Sequence, residues 1–264
     1  MKIFIITDLE GASGVYQFDQ TRDKQSPLFR EAAGYLMDDI AAVVRGLRES
    51  GANEIIVLDG HGGGRTFIPH LMVVGAKYLT GSVPHQKWGL DKKCAGLIML
   101  GYHAMCGTKD GVLNHTQSSR LEARYWYNGV ESGEIAQGAI YAGHFNVPAI
   151  MVSGDEATCR EARSFLGKHC VTVAVKKGIT REGALLYPFE ETRKALYEGA
   201  KRAVAAIPFC KPYKLRMPIR AKREGFVFDQ CPSQTRLVTS ECKITDTSNY
   251  AWQSTPTIEP KTLR

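Results

Sequence analysis

The chain has 264 residues, 44% of them hydrophobic, and a net charge of +7. That length suits one large domain or a domain with an appendage, and no apolar run approaches the roughly 18 residues of a membrane span. The apolar stretch at the N-terminus is too short for a secretory signal, and the seven cysteines lack any C-x-x-C pair, which argues against a disulfide framework or a cysteine zinc site and for the cytoplasm.

In chain order, KIFIIT at 2–7 reads as a short buried strand. Phe29, Ala33, Leu36, Ile40, Val43, Val44 and Leu47 then recur at helical spacing over 28–50, with Gly51 as the stop. EIIVLDGH follows as a second β-rich run, so the unit is β-α-β with parallel strands. AGLIMLGYHA at 95–104 is a third apolar run. In RYWYNGVESGE, Asn128-Gly129 between strand-like flanks predicts a type I′ hairpin, whose Tyr125, Trp126 and Tyr127 look exposed. GEIAQGAIYAGHF reads as a helix and VPAIMVSGDE as another buried strand. Residues 180–206 read as a long amphipathic helix, broken before Pro188. Residues 160–223 hold 16 basic and 5 acidic side chains, against 18 and 22 in the remainder. That excess reads as a solvated helical face; no nucleic-acid motif accompanies it, so no nucleic-acid partner is expected. From Pro208 onward, prolines punctuate short β-rich pieces, GFVFDQ and RLVTSECKIT. The pattern predicts an α/β fold, a largely parallel sheet flanked by helices over 1–206, with a smaller β-containing C-terminal portion over 207–264.

Three of these strands end alike: the first in Asp8 and Glu10, the second in Asp59, Gly60 and His61, the third in Gly101, Tyr102 and His103. Ligands of open parallel sheets bind outside the carboxyl ends of the strands, so Asp8, Glu10, His61 and His103 can meet although far apart in sequence. Two carboxylates with two imidazoles form a donor set for a first-row divalent metal, Zn²⁺ foremost, with Mn²⁺ or Co²⁺ as alternatives. Glu134, at the start of a helix, reads equally as a further ligand or as a first-turn glutamate favoured by the helix dipole. His115, in the polar loop GVLNHTQSS, reads as a site residue or a surface histidine. His70, His85, His144 and His169 have no matching context and read as structural. HGGG at 61–64 resembles an esterase oxyanion loop, but no G-x-S-x-G accompanies it. GHGGGRT lacks the first glycine and the lysine of a P-loop, and H-E-x-x-H and the EF-hand pattern are absent.

On TDLEGASGV, VLDGHGGG, LGYHAM…GVLNHT, GEIAQGAIYAGHFNVPAIMVSGDEA and AVKKGITREGA, in that order across 1–206, the chain resembles the DppA-like, zinc-dependent D-aminopeptidases. The resemblance implies two Zn²⁺ per subunit held by Asp8, Glu10, His61, His103 and Glu134, with Asp8 bridging, and His115 as the catalytic histidine. It implies that 1–206 is a metallohydrolase domain releasing N-terminal D-residues such as D-Ala from short peptides. It also implies a ring-shaped homo-oligomer, decameric in described members, with which exposed aromatics at 125–127 would agree. Residues 207–264 match the family weakly. The expectation is a cytoplasmic two-metal aminopeptidase. Its rivals are another dinuclear amidase or phosphoesterase, and a non-catalytic metal- or peptide-binding protein. A phosphoesterase calls for basic residues beside the metals, whereas the basic excess lies in 160–223. His115, which the ligand set does not require, favours an enzyme.

Overall fold

Alternation in the first strand, β1 (Lys2–Thr7), sets the layers of the molecule. Its Ile3 and Ile5 enter one core and its Phe4 and Ile6 enter another, because successive side chains point to opposite faces. A strand apolar on both sides needs a helical cover on both sides. In this computed structural model, which describes residues 1–81, 89–228 and 235–247, that cover is present. On one face α1 (Pro27–Glu49) and α4 (Phe189–Ala206) bring Leu36, Ile40, Leu196 and Ala200 against Ile3 and Ile5. On the other, α2 (Glu134–His144) and α3 (Glu156–Leu166) bring Ile135, Ala139 and Ala162 against Phe4 and Ile6. Each fully buried aliphatic side chain of these layers contributes roughly 1.5–3 kcal/mol. Ser26 caps α1, accepting from the Leu28 amide at 3.2 Å with Pro27 just inside the helix.

The remaining strands are β2 (Glu54–Asp59), β3 (Lys77–Leu79), β4 (Cys94–Leu100), β5 (Ala123–Tyr127), β6 (Val130–Glu131), β7 (Ala149–Asp155), β8 (Val171–Thr180), β9 (Gly183–Leu186), β10 (Ile219–Phe228) and β11 (Thr235–Ile244). The main sheet has seven strands in the order β3-β2-β1-β4-β7-β8-β9, all parallel except the antiparallel edge strand β9. The chain moves outward from β1 through β2 and β3, then returns to β4 on the other side of β1. The ends of β1 and β4 therefore flank the switch point, where a crevice opens at the carboxyl edge.

β10 and β11 pair antiparallel with β5 and β6 to form a second, four-stranded sheet. The β-rich C-terminal pieces thus complete a sheet begun at residue 123. The Asn128-Gly129 turn has φ of +52° and +85°, as a type I′ turn requires. The aromatics of this hairpin are not a uniformly exposed set, contrary to expectation. Strand alternation turns Tyr125 and Tyr127 inward onto Ile140, Ile219 and Ile244, and leaves only Trp126 half-buried.

Two further expectations are corrected. Residues 180–188 are not helical: β8 runs on to Thr180, and 183–186 fold back on it as β9. Helix α4 begins only after Pro188, whose ψ of 140° is extended. The basic excess of 160–223 is not wholly solvated, since Lys176 is fully buried. Among the described residues no helix is long and apolar enough to cross a membrane, and the six described cysteines are free. His85 and residues 248–264 of the C-terminal portion lie outside the described residues.

Candidate metal centre

The site forms because two loops are laid against each other at the switch point. The Asp8 amide donates to Leu100 O at 2.8 Å and the Gly11 amide to Gly101 O at 2.7 Å. A Cβ on Gly11 would lie 1.7 Å from Tyr102 O, so only glycine permits this approach. The loop after β1 thereby delivers Asp8 and Glu10 to His103, which follows β4. The glycine loop after β2 is shaped by Asp59, whose Oδ2 accepts from the Thr66 amide at 2.7 Å and from Thr80 Oγ1 at 2.8 Å. Asp59 faces away into this loop, and His61 turns inward. Glu134 opens α2 and accepts from the Gln117 amide at 2.7 Å.

All six sequence candidates meet. His61 Nδ1 lies 3.0 Å from Asp8 Oδ1 and 3.1 Å from Glu10 Oε2. His103 Nε2 lies 3.3 Å from Asp8 Oδ2 and 3.6 Å from Glu134 Oε1. His115 Nε2 is 3.9 Å from Glu134 Oε1, and its ring stacks on that of His103 at 3.9 Å between centroids. Two trios, Asp8–Glu10–His103 and His103–His115–Glu134, each have their ligating atoms within 4.8 Å of one another.

Each histidine is held from behind by a main-chain carbonyl. Thr21 O lies 2.9 Å from His61 Nε2, Ala104 O lies 3.0 Å from His103 Nδ1, and Leu113 O lies 2.8 Å from His115 Nδ1. A ring nitrogen so placed donates its N–H to the carbonyl, which leaves the lone pair of the other nitrogen facing the carboxylates. Metal-ligating histidines use this second-shell arrangement to fix tautomer and orientation. Thr21, Ala104 and Leu113 act through backbone carbonyls, so no side-chain pattern in the sequence announces them. Leu113 does this at φ +52°, left-handed backbone that a branched side chain rarely adopts.

The electrostatics describe a site short of positive charge. Burial by itself would raise Asp8, but hydrogen bonds and charge from His103 and His61 outweigh it and hold this carboxyl well below the usual range. Glu10 is lowered too, its burial outweighed chiefly by His61. Burial pushes Glu134 up to about 7. Burial would lower both facing imidazoles. Instead Asp8, Glu134 and Glu10 draw His103 up to about 10, and Glu10 and Asp8 hold His61 well above its ordinary value. His115 goes the other way, to about 4, through burial and the charge of His103. Three carboxylates facing two imidazoles thus call for cations. Glu10 Oε2 and His103 Nε2 are also fully buried, and what faces them is His61 at 3.1 Å and Asp8 at 3.3 Å, groups of the same cluster; buried polar atoms this poorly satisfied are costly unless another group binds them. Carboxylate oxygens and imidazole nitrogens converging on one point are the donor set that zinc takes, with the facing imidazole protons displaced.

A family model described as D-aminopeptidase, peptidase family M55, matches residues 1–251. The chain belongs to the D-aminopeptidase family. The D-aminopeptidase of Bacillus subtilis (strain 168) is 29% identical over 184 residues, which is 69% of this chain and 65% of that relative. The match therefore spans slightly under two thirds of the relative's length. A solved structure described as the Zn-dependent D-aminopeptidase DppA from Bacillus subtilis, a self-compartmentalizing protease, superposes with a TM-score of 0.85 at 21% identity. The superposition covers 96% of this chain and 95% of that one, so the D-aminopeptidase fold extends through both sheets.

Proposed function

We propose that this D-aminopeptidase family member is a zinc-dependent aminopeptidase that cleaves the N-terminal peptide bond of short peptides, those beginning with D-residues such as D-Ala first among them. The observation that carries this reading is the arrangement of the three histidines, each tied by a carbonyl at one nitrogen and turned toward a carboxylate at the other. Asp8, Glu10, His61, His103 and Glu134 would hold two Zn²⁺, with Asp8 between them. When bound, zinc supplies Lewis-acid polarisation of a carbonyl and brings the pKa of a water from 15.7 down toward about 7. Three carboxylates against two divalent cations leave a net positive site, suited to an anionic transition state.

His115 is the proton-handling residue. Leu113 O takes the Nδ1–H, so Nε2, which faces Glu134 at 3.9 Å, is the atom that accepts a proton. Once protonated, the same atom donates to the developing oxyanion or to the departing amine.

The decisive assay pairs D-Ala and L-Ala peptides on protein loaded with Zn²⁺, Mn²⁺ or Co²⁺. Release of N-terminal D-Ala, abolished by a chelator and restored by zinc, is the expected outcome. Failure to cleave either peptide with any of the three metals would contradict the reading, and cleavage of phosphate esters alone would replace it with the phosphoesterase alternative.

The relative described as self-compartmentalizing supports a closed, ring-shaped homo-oligomer for this chain, with ten subunits as the expected number. Symmetric closure is the common solution for such assemblies. Sedimentation velocity should return a single species near ten chains, and a monomer at micromolar concentration would overturn the assembly. The six free cysteines among the described residues support a reducing compartment, the cytoplasm.

A further inference from the structure

Lys176 lies on β8 with none of its surface exposed. Its ammonium reaches across the core to three main-chain carbonyls of one loop: Glu10 O at 2.7 Å, Ala12 O at 2.9 Å and Val15 O. An ammonium has three N–H donors, and here three carbonyls receive them. The loop is the one that carries Asp8 and Glu10 into the site. Its carbonyls turn inward onto a cation, while its Ser13 amide turns onto an anion, donating to Asp39 Oδ2 at 2.9 Å. A backbone with three carbonyls converging on one buried point is not a conformation that a chain keeps unaided, since each unpaired carbonyl would lose its hydration.

We propose that Lys176 is a positioning residue that shapes the 8–15 loop into its metal-binding conformation. This inference rests on the metal-centre reading above. By holding Glu10 through its own carbonyl, Lys176 fixes where the Glu10 carboxylate stands relative to His61, 3.1 Å away. By gathering Ala12 and Val15 to the same point, it sets the curvature that returns the chain beside Gly101. Its contact is with the backbone of a ligand residue, so it works without touching substrate, and another side chain of equal bulk cannot replace it. Binding sites need such support, because a ligand displaced by even about 1 Å loses much of its contribution.

The test compares zinc affinity, read by chelator competition, in the full-length wild type, Lys176→Met and Lys176→Gln. Methionine keeps the volume and removes every donor; glutamine keeps two N–H donors on a shorter arm. The zinc-free melting temperature is measured alongside, with Leu47→Ala, a buried residue of α1 that is no part of the 8–15 loop, as a control that lowers stability. The expected result is a zinc affinity weaker by about 10–100-fold in the methionine variant, the usual worth of a residue supporting a metal ligand. The glutamine variant should fall in between, and Leu47→Ala should bind zinc as the wild type does. If the methionine variant does not fold, the glutamine variant carries the same comparison. Wild-type affinity in a Lys176 variant whose melting temperature has fallen would make the lysine merely structural and overturn the inference, with the metal centre intact. A wild type that binds no zinc at micromolar concentration would overturn the metal centre and the inference together.

Discussion

Asp8→Ala protein should purify with its zinc content reduced from two per chain toward none, and its peptidase activity should disappear with the metal. Asp8 is the one carboxylate among the described residues within 4 Å of both His61 and His103, through Oδ1 and Oδ2 respectively. Glu10 reaches only His61, and Glu134 reaches His103 and His115. Removing Asp8 therefore separates the site into two halves, each left with one carboxylate. A catalytic metal stabilises the transition state by several kcal/mol, so turnover should fall by roughly 10³-fold or more. The fold should survive, because the core strand ends at Thr7 and its apolar residues Ile3–Ile6 are untouched. Atomic absorption and circular dichroism on the same preparation read both halves of the expectation. Unchanged metal stoichiometry in a folded variant would remove Asp8 from the bridging position.

His115→Ala separates metal binding from catalysis. Five ligands are proposed without His115, so this variant should keep its zinc. Its turnover should fall by about 10²–10⁴, the usual contribution of a positioned acid or base. The interaction exists mainly in the transition state, so kcat should drop while KM stays nearly constant. The stacking of His115 on His103 makes the metal measurement necessary, since a void beside His103 can let that ring turn. Near-normal kcat would exclude His115 from the mechanism. Loss of zinc would make it a ligand, for which its place in a trio with His103 and Glu134 provides the geometry.

The parts of this architecture legible in the sequence share a physical origin. β1, β2, β4 and β7 are buried on both faces, so each appears as an unbroken apolar run, and parallel pairing places their carboxyl ends on one edge. That was enough to gather Asp8, Glu10, His61 and His103. Glu134 and His115 were ambiguous because their chemistry depends on loops: Gln117 orients the first and Leu113 the second through backbone groups. The edge strand β9 reads as the start of the helix because an edge strand lacks the continuous apolar signature of a central one. Tyr125 and Tyr127 read as exposed because the helix they cover, α2, follows them in the chain and has no pattern that names its partner. Lys176 reads as one of the solvated lysines of 160–223. In VTVAVK, alternation sets Lys176 on the face of Thr172 and Ala174, opposite Val173 and Val175, so nothing local marks it as buried or shows which carbonyls await it.

The most direct test of the dinuclear centre is anomalous diffraction at the zinc edge from crystals of the zinc-loaded protein. Two peaks per chain are expected, about 3.5–4 Å apart as in two-metal hydrolases, with the Asp8 carboxylate between them and Glu10, His61, His103 and Glu134 completing the shell. A single peak, or two peaks away from Asp8, would contradict it.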